Sequence, residues 1–166
     1  MFVEKIVVNT SPLIVLFNSN QDDLLPQLFS DIIVPEAVVE EVTRGKSDRA
    51  SQRVPQTDWL KQQTVEINPT VAAWDLGKGE TSVISCAITH PGYYAMIDDQ
   101  AARRCAKSFG ILTLGTGRAI VLAKQRGLIP SIGDHRLDRI REAGLYLAPQ
   151  VIELLKTQAN ENPSNS

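Results

Sequence analysis

Five residues carry side-chain oxygens that could gather around a cation: Asn9, Glu41, Glu80, Asp98 and Asp99. None is a histidine or cysteine, and oxygen-only donor sets select hard divalent ions, Mg²⁺ or Mn²⁺. Such ions activate water and neutralise charge on phosphate, so the chemistry indicated is phosphoryl-transfer hydrolysis. Asn9 differs from the other four. It closes the apolar run "KIVVN" with an amide, which offers one acceptor oxygen and no charge.

Each acid also has a plainer explanation. Glu36 and Glu40 project away from the Val38 and Val42 stripe of the helical pattern 35–44 and read as a solvated face. Glu41 lies roughly 60° from Val38, at the flank of that stripe, where a carboxylate wants a partner or a metal. An acid at Glu80 can offset a helix dipole. That does not account for its alignment with Val83, Ile84 and Ala87, three, four and seven residues on. One of Asp98 and Asp99 can cap the helix that follows, which leaves the other spare.

Other candidate chemistries are weaker. His90 and His135 are too far apart in sequence to imply a site, and Ser11 has no nearby histidine base. "DLGKGE" (75–80) lacks the spacing of a phosphate-binding loop and follows no strand. "LGTG" (114–117) could hold a phosphate on backbone N–H groups, although a plain strand-to-helix turn explains it better. Trp59 and Trp74 read as packing residues.

The elements that must position these residues alternate. Short apolar or β-branched runs at 5–9, 31–34, 64–67, 94–97 and 111–114 are separated by helical patterns at 35–44, 80–90, 99–109, 116–126, 134–143 and 149–157. The stretch 47–62 is broken at Pro55 and predicts two short helices. Pro12 suits a first helical turn after a cap at Thr10 or Ser11. Gly110 and Gly127 stop two of the helices. Alternation of this kind predicts an α/β fold with a parallel sheet covered on both faces. Such a sheet binds ligands at the carboxyl ends of its strands. Asn9 and Asp98–Asp99 stand at two of those ends.

The chain has 166 residues and a net charge of −2, so bulk charge neither demands nor excludes a nucleic-acid partner. The charge is uneven. Residues 1–83 carry 7 basic and 12 acidic groups (net −5), and residues 84–166 carry 10 and 7 (net +3). Cys86 and Cys105 sit in apolar helical patterns and read as reduced, buried thiols. There is no signal peptide or apolar run of transmembrane length, which fits a cytoplasmic protein without a membrane partner. We expect one domain over 1–156 and a polar, fraying tail over 157–166.

Taken in order, "VVNTSPLI", "IIVPEAVVEEV", "LGKGETSVISCAI" and "AMIDDQAARRCAKSFGI" resemble the PIN-domain superfamily. The match is closest to a branch of uncharacterised prokaryotic PIN-like proteins near the VapC-type toxin nucleases, of which "LGTGRAIVLAKQRGLI" is also typical. The resemblance spans about residues 4 to 155. It implies a three-layer α/β/α sandwich with a five-stranded parallel sheet of order 3-2-1-4-5. It also implies a Mg²⁺- or Mn²⁺-dependent ribonuclease site built on Glu41, Glu80 and Asp99, with Asp98 as a substitute for Asp99 and Ser11 or Thr10 as an accompanying hydroxyl. The chain departs from the pattern at Asn9, where the catalytic families usually carry Asp.

The expectation is therefore a PIN-like, metal-dependent endoribonuclease acting as the toxin of a toxin–antitoxin pair. It would be a homodimer, paired with an antitoxin protein, and Arg103 and Arg118 would contact the RNA backbone. The alternative is a weak or inactive PIN-like module that binds RNA or a protein. A third reading, a nucleotide-binding regulator, predicts that a nucleotide raises the melting temperature without metal.

Overall fold

The computed structural model describes residues 4–132 and 136–161. Its core is a five-stranded parallel sheet: β1 (Lys5–Val8), β2 (Asp31–Pro35), β3 (Lys61–Gln63), β4 (Tyr94–Met96) and β5 (Thr113–Leu114), in the order β3-β2-β1-β4-β5. Every pairing is parallel, with Val7 opposite Ile33 on one side and Ala95 on the other. A central parallel strand is covered on both faces and needs apolar residues throughout. In β1, accordingly, Ile6, Val7 and Val8 are fully buried.

Ten helices lie among the described residues: α1 (Thr10–Asn18), α2 (Leu24–Leu28), α3 (Glu36–Thr43), α4 (Arg49–Arg53), α5 (Pro69–Ala72), α6 (Lys78–Thr89), α7 (Gln100–Ser108), α8 (Thr116–Gln125), α9 (Arg136–Glu142) and α10 (Pro149–Gln158). A 3₁₀ turn, Val54–Gln56, follows α4 at the break expected at Pro55. The expected α/β/α architecture and strand order are both present. The chain runs outward through β2 and β3 and then returns past β1 to β4. The strand order reverses between β1 and β4, and that is where a sheet of this type opens a crevice. The two strand ends are tied there by the Asn9 N–H, which donates to the Met96 carbonyl at 3.1 Å.

Several local expectations are corrected. The third strand is "KQQ" at 61–63, and "TVEI" at 64–67 forms no strand. As an edge strand, β3 pairs on one side only, through its backbone with Ile33, Val34 and Pro35, so it does not need the apolar composition that marks a buried strand. The cap of α1 is Asn9, one residue earlier than expected. The short helices α2 and α5 lack the length for a clear 3.6-residue period. Trp59 packs at 6.1 Å against Phe17, whereas Trp74 is 42% exposed.

The expected boundary at 156/157 falls inside α10, which continues to Gln158. Beyond it, the Glu161 carboxylate accepts from the Ile132 N–H at 2.6 Å and pairs with Lys124 at 3.2 Å. His135 and residues 162–166 lie outside the described residues. Cys86 and Cys105 are buried and unbridged, and burial pushes the Cys86 thiol up to about 11. No helix among the described residues is long and apolar enough to cross a membrane.

Candidate functional site

Asn9 leaves β1 with extended backbone angles (φ −84°, ψ 171°) and heads α1 without a side-chain capping bond. It therefore does not serve the turn through its amide. The residue is 2% exposed, and its Oδ1 has no hydrogen-bond partner. A buried acceptor left unsatisfied costs about 1–3 kcal/mol and calls for an explanation.

Glu41 supplies the opposite wall. It sits on the inner flank of α3, where Val38 and Val42 anchor the helix in the core. Its Oε2 accepts from the Thr10 hydroxyl at 2.8 Å, and its Oε1 from the Gly79 N–H at 2.9 Å. Gly79, in the first turn of α6, reveals how tightly these groups converge. A Cβ there would come within 2.9 and 3.0 Å of the two Glu41 oxygens and 3.0 Å of Asn9 Oδ1. The amide oxygen and the carboxylate thus face one point between β1, α1, α3 and α6. A side chain at residue 79 would have to displace one of these oxygens.

Glu80 follows at once and is half-buried. Its carboxylate lies over the turn before α6, where a Cβ on Gly77 would be 2.9 Å from Glu80 Oε2. The expected alignment with the buried face holds for Val83, Ile84 and Ala87, all buried.

The adjacent aspartates divide their tasks. Asp99 is exposed and caps α7, its Oδ2 accepting from the Ala102 N–H at 2.8 Å. Asp98 turns inward, and both its oxygens accept from Thr116: from the N–H at 2.8 Å and the hydroxyl at 2.6 Å. Burial pushes the Asp98 carboxyl above the ordinary value. The Thr116 bonds and nearby Arg103 pull the other way but are outweighed.

The structure therefore assembles two clusters, Asn9–Thr10–Glu41–Gly79 and Asp98–Thr116–Arg103. Of the two hydroxyls expected beside the acids, Thr10 holds Glu41, while Ser11 is exposed. Arg118 lies on the exposed side of α8. Among the described residues, no three histidines, cysteines or acids stand close enough together to form a metal cage.

A family model described as a PIN domain (DUF3368) matches residues 5–161. The chain belongs to the PIN-domain family. No curated protein matches it. Membership makes this a nuclease-like module of a kind that generally uses divalent metal ions and commonly binds RNA.

The residues of this PIN domain fit such an ion. Asn9 Oδ1 is a buried acceptor awaiting a positive partner, and Glu41 presents hard anionic oxygens to the same space. Mg²⁺ in particular keeps several waters and takes only one or two protein carboxylates, so a closed cage is not required.

Sequence reasoning missed two residues that shape the PIN site, Gly79 and Thr116. A glycine inside the first turn of an amphipathic helix was the available signal for Gly79. For Thr116 the signal was its place at the start of a helix directly after a strand, within "LGTG".

Proposed function

We propose that this PIN domain is a Mg²⁺- or Mn²⁺-dependent endoribonuclease and the toxin component of a toxin–antitoxin pair. One observation carries the hydrolytic reading: the orphaned Asn9 Oδ1, buried and aimed at the space that Glu41 faces. A bound divalent ion supplies an activated water and neutralises charge on the scissile phosphate. Glu41, oriented by Thr10 and Gly79, would give anionic oxygen and Asn9 neutral oxygen, and Glu80, whose carboxylate lies over Gly77, would turn toward them to complete the set. Asp98 is the favoured third acid in place of Asp99, because Asp99 is exposed and committed to its cap. Thr116 holds the Asp98 carboxylate in one orientation through two hydrogen bonds.

The test is cleavage of an unstructured RNA with Mn²⁺ and with EDTA. Wild type cleaves only with the metal, and Glu41→Gln abolishes cleavage. In parallel, millimolar Mn²⁺ raises the melting temperature, because a ligand of the folded state stabilises by RT ln(1 + [L]/Kd). An unmoved melting temperature removes the cation site.

The neutral amide at residue 9 favours a second reading, a catalytically weak or inactive PIN module that binds RNA or a protein. RNA binding in EDTA with no cleavage at any Mn²⁺ concentration selects it. The toxin assignment rests on the likeness to VapC-type proteins, which also supports a homodimer and an antitoxin partner. A monomeric mass by light scattering at high micromolar concentration counts against the dimer.

A further inference from the structure

Resting on the ribonuclease reading, we propose that the groove between β5, α8 and α10 carries the single-stranded RNA away from the site, with Tyr146 as a base-stacking platform. The groove encloses about 730 Å³ and shares Asp98, one of the proposed acids, with the candidate site. Its lining also includes Arg103 on α7, Arg118 on α8, and Tyr146, Val151 and Leu154.

Three features give the groove its character. The first is steric. A Cβ at Gly115 would lie 3.2 Å from both Arg103 Nη1 and Asp98 Oδ1, so a glycine there leaves room for both groups. At Gly117 a Cβ would come 2.7 Å from Leu155 Cδ1, so the small residue lets α10 close onto α8 as the outer wall.

The second feature is charge. Two guanidinium groups, Arg103 and Arg118, line the groove, against one carboxylate, Asp98, whose oxygens Thr116 already engages. Arg118 is held along the rim by its 2.7 Å bond to Gln158. A second pocket, of about 520 Å³ beside α3 and the start of α6, has the opposite sign: Glu36, Glu40 and Asp75 against Lys78. A polyanion reaching the site is repelled on that side and attracted on this one.

The third feature is apolar exposure. Tyr146 is 82% exposed, with Leu154 at 56% and Val151 at 40% beside it. An exposed aromatic ring in a groove also lined by two arginines matches the combination by which single-stranded nucleic acids are bound, with bases stacked on aromatics and the backbone on cations.

The experiment is fluorescence anisotropy with a labelled twelve-nucleotide oligouridine in EDTA, so that binding is read without cleavage. Tyr146→Ala should weaken binding by about fivefold or more and leave the salt dependence unchanged. Tyr146→Phe should keep the affinity, and Arg118→Gln should lower the salt slope by about 0.7. An RNA duplex, whose bases are already stacked, should not respond to Tyr146→Ala.

Equal oligouridine affinity for wild type and Tyr146→Ala overturns the proposal, as does no binding by wild type. Dissociation of a dimer by Tyr146→Ala also overturns it and makes this face an interface between copies. The ribonuclease reading fails separately. If Mn²⁺ yields no cleavage while Tyr146→Ala still loses oligouridine affinity, hydrolysis is refuted and the groove stands. If cleavage occurs and Tyr146→Ala binds normally, only the groove is refuted.

Discussion

At the scale of single residues, Asn9 and Gly79 hold the strongest constraints. In Asn9→Asp, a second buried carboxylate faces Glu41 across the space that a Gly79 Cβ would fill. Without metal the two charges repel and the melting temperature falls. With metal, the added anionic oxygen tightens Mn²⁺ binding by about tenfold or more, readable by calorimetric titration. Equal Mn²⁺ affinities would remove Asn9 from the ligand shell. Gly79→Ala acts sterically, because its Cβ would sit 2.9 Å from Glu41 Oε1 and 3.0 Å from Asn9 Oδ1. Overpacking of this kind costs about 1–3 kcal/mol. The variant should show a lower urea midpoint and no stabilisation by Mn²⁺.

At the scale of elements, half-buried, hydrogen-bonded carboxylates decide how helices join and how the joints respond to pH. Asp48 caps α4 by accepting from the Ser51 N–H at 3.0 Å, and it ties α4 to the end of α1 by accepting from Asn18 Nδ2 at 3.0 Å. Burial acts to raise the Asp48 carboxyl, but the Ser51 and Asn18 bonds prevail and hold it below its usual value of 3.8. A depressed acid stabilises the fold above its unfolded pKa, and that stability is lost as pH falls through the folded value. Asp98 has the reverse sign. Burial raises it, so the unfolded chain ionises first and a penalty develops as pH rises above the ordinary carboxylate value. In metal-free protein at pH 7, Asp48→Asn should therefore lower the melting temperature and flatten its decline toward acid. Asp98→Asn should raise the melting temperature. Thermal melts stepped from pH 7 to pH 3 give both signs.

At the scale of the molecule, the last helix belongs to the fold through contacts far apart in sequence. Leu155 packs on Gly117, Lys124 donates to the Ala159 carbonyl at 2.6 Å, and Glu161 bonds both Lys124 and Ile132. Truncation after Glu161 keeps all of these contacts and is the reference. Truncation after Lys156, the boundary that composition suggested, breaks the Lys124, Glu161 and Gln158 contacts. At about 1 kcal/mol per lost bond, a fall of several degrees is expected, at roughly 2–4 °C per kcal/mol for a chain of this size. Differential scanning calorimetry of the two truncations distinguishes them.

Sequence alone determined whatever depends on local period and composition. The alternation of apolar runs with helical patterns led to the parallel α/β sheet, and four motifs in order led to the PIN family. The same patterns marked Asn9, Glu41, Glu80, Asp98 and Asp99 as candidates, with Asp99 ahead of Asp98 as the ligand. It failed where an element's identity depends on its neighbours. β3 is a strand because its backbone pairs with β2, although its side chains show no strand composition. Tertiary structure also decided between adjacent residues: Thr10 over Ser11 as partner of Glu41, and Asp98 inward with Asp99 as cap. Neighbours in sequence share a local pattern, and only the packing of distant helices determines which one faces the crevice. The same holds for Gly79, whose role is the side chain it lacks where Asn9 and Glu41 meet. A space formed by residues 9, 41 and 79 exists only once β1, α3 and α6 have packed together.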